Sequence, residues 1–259
     1  MNTRAALLIE YDGAGFVGWQ SQDRGLAIQD VLEAAASRLV AGARVPSAVA
    51  GRTDAGVHAE GQVALIELPA PFPLVRLREA LNFHLRPHPV VVLRATAAAP
   101  GWHPRFAAIG RAYRYRILNR RPRPALLAGR VWHLPHPLDA DAMHAAAQTL
   151  LGRHDFTSFR ASACQAKTPL RTLDRLDVTR EGEEITIIAE ARSFLHHQVR
   201  NMVGSLKWVG EGRWDIAAIA RALAARNRAR AGPTAPAAGL CLTTVRYPDG
   251  LDPFRGLAP

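Results

Sequence analysis

The sequence predicts an α+β protein built from two related split-βαβ domains, residues 1–105 and 106–259. Three observations carry that prediction. Apolar patterns over the first domain run strand, helix, strand, strand, helix, strand, the order of a split βαβ arrangement with helices on one sheet face. A comparable series with extra helices starts again at Arg111. And 259 residues, 48% of them hydrophobic, suffice for one or two domain cores. Two such domains are expected to meet along a cleft, the default place for a site.

The elements justify themselves in order. Ala5–Tyr11 is an apolar run that reads as a buried first strand. It leads into Gly13-Ala14-Gly15-Phe16-Val17-Gly18, which has the spacing of a dinucleotide fingerprint. That fingerprint needs a helix to open at the third glycine. Here Trp19–Gly25 intervene and the helix begins near Ala27, so the glycines are expected to make a flexible loop instead. Ile28, Val31, Leu32, Ala35, Leu39 and Val40 then fall on one helical stripe. After the loop at 51–58 comes a strand over Gln62–Glu67, a proline-rich turn, a helix from Leu74 to about Phe83 and a strand over Val90–Leu93.

In the second series, Arg111–Leu118 alternates Tyr113, Tyr115 and Ile117 with Arg114 and Arg116, giving a strand with an aromatic side and a basic side. Asn119–Pro124 is a basic loop. Asp139 is placed to cap a helix that carries Met143, Ala146, Ala147, Leu150 and Leu151 and stops at Gly152. Strands over Leu173–Thr179 and Glu184–Arg192, a helix over His197–Val209, a helix capped by Asp215 and a last strand over Leu240–Val245 complete the chain.

Charge narrows the function. The net charge is +11, and of 33 basic residues only Lys167 and Lys207 are lysines. From Glu79 to Asp139 there is no intervening acid but ten arginines, and 216–248 is again free of acids with five. One-signed stretches of this length suit phosphate tracking on a polyanion; a compositional or thermophilic arginine bias is the competing explanation. No apolar run reaches the ~20 residues of a membrane span. The start enters a strand directly, so no signal peptide is expected. Cys164 and Cys241 are too few for a disulfide framework or a zinc site, which fits a reducing cytosol.

The stretch around which the chain is organised is Gly51-Arg52-Thr53-Asp54-Ala55-Gly56-Val57-His58. Two glycines bracketing one acid and one base let the backbone turn sharply and leave Asp54 at a loop tip. By itself that pattern also fits an Asp that only bonds amides of its own turn. Arg200 stands where a strand meets an apolar helix and needs either a partner or a route to water. His196 and His197 invite a metal reading, but neighbours diverge on a helix and no third ligand has suitable spacing. Paired carboxylates of glycosidase type, a P-loop and a serine elbow are absent.

Taken together, Glu10–Gly13, Gly18-Trp19-Gln20, the 51–58 loop, Arg111-Ala112-Tyr113-Arg114-Tyr115, Leu151-Gly152 with Asp155–Phe159, and Phe194–Leu206 make the chain resemble the TruA-type tRNA pseudouridine synthases over nearly its whole length. Phe16, Trp102 and Cys241 depart from that family's usual residues, all outside the catalytic set. The resemblance implies the pseudouridine synthase fold, with two RRM- or ferredoxin-like domains around a central basic cleft. It implies conversion of uridine to pseudouridine at positions 38, 39 and 40 of the tRNA anticodon stem-loop, by a cytoplasmic homodimer with no cofactor or metal. Asp54 would be the nucleophile, Arg52 would fill the space of the flipped base, Tyr113 would stack on the base and Arg200 would keep Asp54 ionised. Leu240 would pack under the base. Trp102, His103, Pro104, Arg105 and Phe106, with Arg121 and with Ala163, Cys164, Gln165, Ala166 and Lys167, would hold the stem by shape and phosphates.

Two rivals belong to other classes. A catalytically silent RNA-binding protein of this fold would keep the arginines without needing Arg52, Asp54, Tyr113 and Arg200 together. A hydrolase of N-glycosidic bonds would use Asp54 but also a second carboxylate or metal, neither of which the sequence offers nearby.

Overall fold

The computed structural model of the chain describes residues 2–256. They form two compact units, one running up to Ile109 and resuming at Leu242, the other Gly110–Cys241. The expected boundary after residue 105 thus falls slightly early. The stretch from Leu242 onward belongs with the first unit rather than the second.

In the first unit, β1 (Thr3–Tyr11), α1 (Ile28–Arg38), β2 (Ser47–Val49), β3 (His58–Leu68), α2 (Leu74–Leu85) and β4 (Val90–Ala97) follow the expected order. A short helix α3 (Pro104–Ala107) comes after them. β1 lies between β4 and β3 and pairs antiparallel with both, and β2 pairs antiparallel with β3. The stripe read from the sequence is the buried face of α1: Ile28, Val31, Leu32 and Ala35, with Ala36 beside them. Burying one Leu or Ile side chain is worth about 1.5–3 kcal/mol, so this face holds a helix whose N-cap is only an alanine. The Asp30 carboxylate repairs the cap in part by accepting the Ala27 amide at 3.0 Å. The helix ends at Arg38, which leaves Leu39 and Val40 beyond it.

In the second unit, β5 (Gly110–Asn119), β6 (Trp132–Leu134), α4 (Ala140–Gln148), β7 (Gly152–Asp155), β8 (Leu170–Glu181), β9 (Glu184–Ala191), α5 (Gln198–Gly210) and α6 (Ala217–Ala224) succeed one another. The sheet order is β5-β9-β8-β7, antiparallel throughout, with β6 added parallel to β5. Asp139 caps α4 as expected, accepting the Ala142 amide at 2.9 Å. Asp215 does not cap α6: the cap position falls at Ile216, and the Asp215 carboxylate instead pairs with Arg221 at 2.8 Å. β10 (Leu240–Arg246) leaves the second unit and lies beside β3 in the first. Among the described residues no helix is long and apolar enough to cross a membrane.

Candidate active site

Arg52 and Asp54 share the loop between β2 and β3 in the first unit. That loop has no regular structure, yet it is held on both sides of Asp54. The Trp19 amide donates to the Thr53 carbonyl at 3.1 Å, and the Gly56 amide to the Phe16 carbonyl at 3.2 Å. Behind it, Tyr11 Oη and Thr53 Oγ1 lie 2.8 Å apart, and Gln62 Nε2 donates to the Gly51 carbonyl at 2.7 Å. Asp54 is half-buried and its own carbonyl accepts the Val57 amide at 3.1 Å. Arg52 is exposed, and its guanidinium has no hydrogen bond or ion pair among the described residues.

The glycine run after β1 is the other wall of this loop. A Cβ on Gly13 would stand 2.0 Å from the Val57 carbonyl oxygen, and one on Gly18 2.6 Å from that of Thr53. Gly18 also has φ +107°, a conformation that side chains strongly disfavour. These glycines are therefore a fitted backbone surface and not the flexible loop expected from the sequence. Asp12 accepts the Ala14 amide at 3.0 Å and shapes the same run.

Of the segment 102–106, only part faces solvent. Trp102 is 6% exposed, packed with Ala50, Val63, Leu65 and Tyr247, and its indole N–H donates to the Leu251 carbonyl. Pro104 is buried as well. Both are core residues, so their expected place among RNA-contacting side chains is withdrawn: neither ring is accessible. His103, half-buried, and the exposed Arg105 and Phe106 remain, with the His103 and Phe106 rings stacked at 4.4 Å. Burial and the nearby Arg105 and Arg4 hold the His103 pKa below the usual imidazole value.

In the second unit Tyr113 lies on β5 opposite Ala189, half-buried, with the Phe194 ring edge-on at 5.3 Å. Arg200 is the third residue of α5. Its Nε donates to the Ala235 carbonyl at 2.8 Å and its carbonyl accepts the Ala235 amide at 3.1 Å. Tyr115, buried beneath, donates its hydroxyl to the Pro236 carbonyl at 2.8 Å. Burial pushes the Tyr115 pKa far above the phenol range, and the positive charge of Arg200 opposes that only in part. Tyr115 is thus a neutral donor that holds the backbone at Pro236, four residues ahead of Leu240, which is 5% exposed.

Asn201 carries the next layer of support. Its amide donates to the Phe159 carbonyl at 2.8 Å, while its oxygen accepts Thr234 Oγ1 at 2.7 Å and Arg228 Nη2 at 3.1 Å. Gln198 Oε1 accepts the Leu195 amide at 2.9 Å, turning the chain into α5. Nothing in one-dimensional spacing marks Asn201, Arg228 or Phe194; their polarity or bulk inside an apolar stretch was the one available signal. His196 and His197 do not diverge. His197 precedes α5 with φ +62°, and the two rings lie 4.0 Å apart.

The loop Ala163–Lys167 is tied to this segment through the Ala161 amide, which donates to the His196 carbonyl at 2.9 Å. Ala163, Gln165 and Lys167 are exposed, while Cys164 and Ala166 are half-buried. Asp155 starts the preceding turn. Burial works against its charge, but bonds from Thr157 and the nearby Arg226 and Arg160 outweigh it and hold its pKa below the usual value.

The arginines divide into two sets. Arg116 makes a two-pronged pair with Glu184 at 2.6 and 2.7 Å, and Arg120 pairs with Glu183 at 3.0 Å. The basic side read on β5 is therefore partly neutralised. Arg121 and Arg123 are exposed and have no partner among the described residues.

The first unit thus holds a carboxylate on a pinned loop, and the second holds Tyr113 against Phe194, a helix-start arginine and solvent-facing guanidiniums. Sequence comparison identifies the family. The pattern of the tRNA pseudouridine synthase family matches residues 146–248. The tRNA pseudouridine synthase A of Acidiphilium cryptum is 67% identical over 252 residues, covering 97% of this chain and 98% of that protein. Those of Rhodospirillum centenum and Paramagnetospirillum magneticum are 60% and 58% identical, each over 94% of this chain and over 99% and 95% of their own lengths. The chain belongs to the tRNA pseudouridine synthase family.

Proposed function

We propose that this protein isomerises uridine to pseudouridine at positions 38, 39 and 40 in the anticodon stem-loop of tRNA, acting in the cytoplasm as a homodimer with two split-βαβ domains. The observation that carries the reading is the Asp54 loop: one half-buried carboxylate, on a backbone pinned by hydrogen bonds at Thr53 and Gly56. A nucleophile benefits from such fixed geometry, since proximity and orientation supply much of a barrier reduction. The Asp54 carboxylate attacks ribose C1′ and the N1–C1′ electron pair leaves with the uracil; the base turns, C5 displaces the carboxylate from C1′, and the C5 proton is lost while N1 takes one up, so the product is an isomer formed without redox. Arg52 has no partner among the described residues and occupies the gap left in the stack when the base is flipped. Tyr113, backed by Phe194, stacks on the uracil, and Leu240 packs behind it. Arg200 supplies the positive charge that keeps the nucleophile ionised once RNA excludes water. His103, Arg105, Phe106, Arg121 and the 163–167 loop contact the stem.

The test is to incubate tRNA with the protein and detect pseudouridine by chemical tagging at single-nucleotide resolution. Wild type is expected to label the anticodon stem-loop. Asp54→Asn and Asp54→Ala should bind tRNA and form none, because phosphate contacts supply most of the affinity. Turnover by Asp54→Ala at ordinary enzyme concentration contradicts the nucleophile assignment.

A further inference from the structure

The second unit also holds a concave cavity of about 290 Å³. Three arginines, Arg153, Arg171 and Arg192, and the hydroxyls of Thr168, Thr172 and Ser193 line it, with no carboxylate among the lining residues. Strand pairing places them together. Arg153 on β7 faces Thr172 on β8; the next residue of β8, Leu173, faces Ala191, and Arg192 follows it directly. Arg153 and Arg192 therefore flank Thr172 from the two neighbouring strands. The two residues stand two strand spacings apart, about 10 Å, and neither guanidinium has a hydrogen bond or ion pair among the described residues.

Arg171 lines the same cavity, with its guanidinium partly engaged by backbone carbonyls. Its Nη1 donates to the carbonyls of Thr168 at 3.0 Å and Leu170 at 2.6 Å. Its Nε–H is closed off from solvent and has no acceptor among the described residues. Burial holds the pKa of this guanidinium below its usual value. Buried donors without acceptors are rare and call for an explanation.

Guanidinium forks and hydroxyls without a carboxylate suit a phosphate, which arginine bonds through two parallel N–H groups. The surroundings select the kind of phosphate. Ser193 precedes Phe194, whose ring backs Tyr113, and Thr168 follows Lys167. We propose that this cavity binds one phosphodiester of the RNA strand whose uridine is presented to Tyr113, an inference that rests on the function proposed above.

The experiment uses the full-length protein with an anticodon stem-loop RNA. Arg153→Ala and Arg192→Ala should each lower the slope of log Kd against log salt by about 0.7–0.9, the loss of one phosphate contact. In wild type, the Arg171 Nε–H resonance should move when the RNA is added. Unchanged slopes and a stationary resonance, in a protein that converts uridine, overturn the phosphate site and leave the proposed function standing. A resonance that moves with inorganic phosphate but not with RNA makes the cavity a free-anion site and overturns it too. A wild type that neither binds nor converts the RNA removes the proposed function, and this inference with it.

Discussion

Replacing Gly18 with alanine isolates what the glycine run does for Asp54. At φ +107° an L-residue costs about 1–2 kcal/mol from its own backbone. The added Cβ would also stand 2.6 Å from the Thr53 carbonyl oxygen, closer than carbon and oxygen tolerate. That oxygen accepts the Trp19 amide, so relief of the clash stretches a hydrogen bond worth about 1 kcal/mol. The expected destabilisation is about 2–3 kcal/mol, less than the ~5–15 kcal/mol of a typical domain, so the variant folds. Gly15→Ala is the control: φ is +86° and nothing lies within 4 Å of its Cβ, so only the backbone cost of about 1–2 kcal/mol applies. Urea denaturation followed by tryptophan fluorescence measures both, with Trp19 as a local reporter. Because Thr53 adjoins Asp54, a displacement of the order of 1 Å there should slow single-turnover pseudouridine formation about 100-fold. Gly15→Ala should stay close to wild type in rate. A Gly18→Ala protein within about 0.5 kcal/mol of wild type and fully active would refute the claim that this glycine shapes the catalytic loop.

Other outcomes follow from the same geometry. Tyr113→Phe keeps the ring against Phe194 and, if stacking is its whole role, should retain RNA binding and most activity; Tyr113→Ala should lose the roughly 1–3 kcal/mol of base stacking, read by titration with stem-loop RNA. Equal binding losses in the Phe and Ala variants would contradict stacking. Arg52→Ala should leave tRNA binding largely intact and slow the rate at saturation, and Arg52→Lys should not restore it, because an ammonium lacks the planar fork. Arg121→Ala should instead weaken binding across tRNAs and lower the salt slope by about one. Single-turnover kinetics separates the two, and an Arg52→Ala variant that loses only affinity makes Arg52 another phosphate contact. Asp155 titrates below its ordinary value, so its folded-state contribution is full above the unfolded pKa and lost as pH falls through the folded one. Asp155→Asn should therefore lower stability at pH 7 and flatten the acid limb of the stability–pH curve; parallel acid limbs for variant and wild type would argue against that role.

Much of this protein can be read from its residues in order. The Ile28, Val31, Leu32, Ala35 stripe names the buried face of α1, and Asp139 three residues ahead of Ala142 marks the start of α4, because both signals are local and periodic. The alternation of Tyr115 and Ile117 with Arg114 and Arg116 likewise sets the two faces of β5. Arg52 and Asp54 are legible as a pair, since bracketing glycines and opposite charges within one turn need no tertiary information. What folding alone decided depends on residues distant in sequence meeting. Trp102 is chemically an RNA-stacking residue, and only its packing against Ala50 and Tyr247 makes it core. Arg116 and Arg121 look alike in the chain, yet folding brings Glu184 to the first and no partner among the described residues to the second. Gly18 looked mobile until the Thr53 carbonyl was found where its Cβ would be. Periodicity reports which face of an element is apolar; which partner meets that face is settled by contacts across tens of residues, and those are what turn a loop bearing an aspartate into a fixed one.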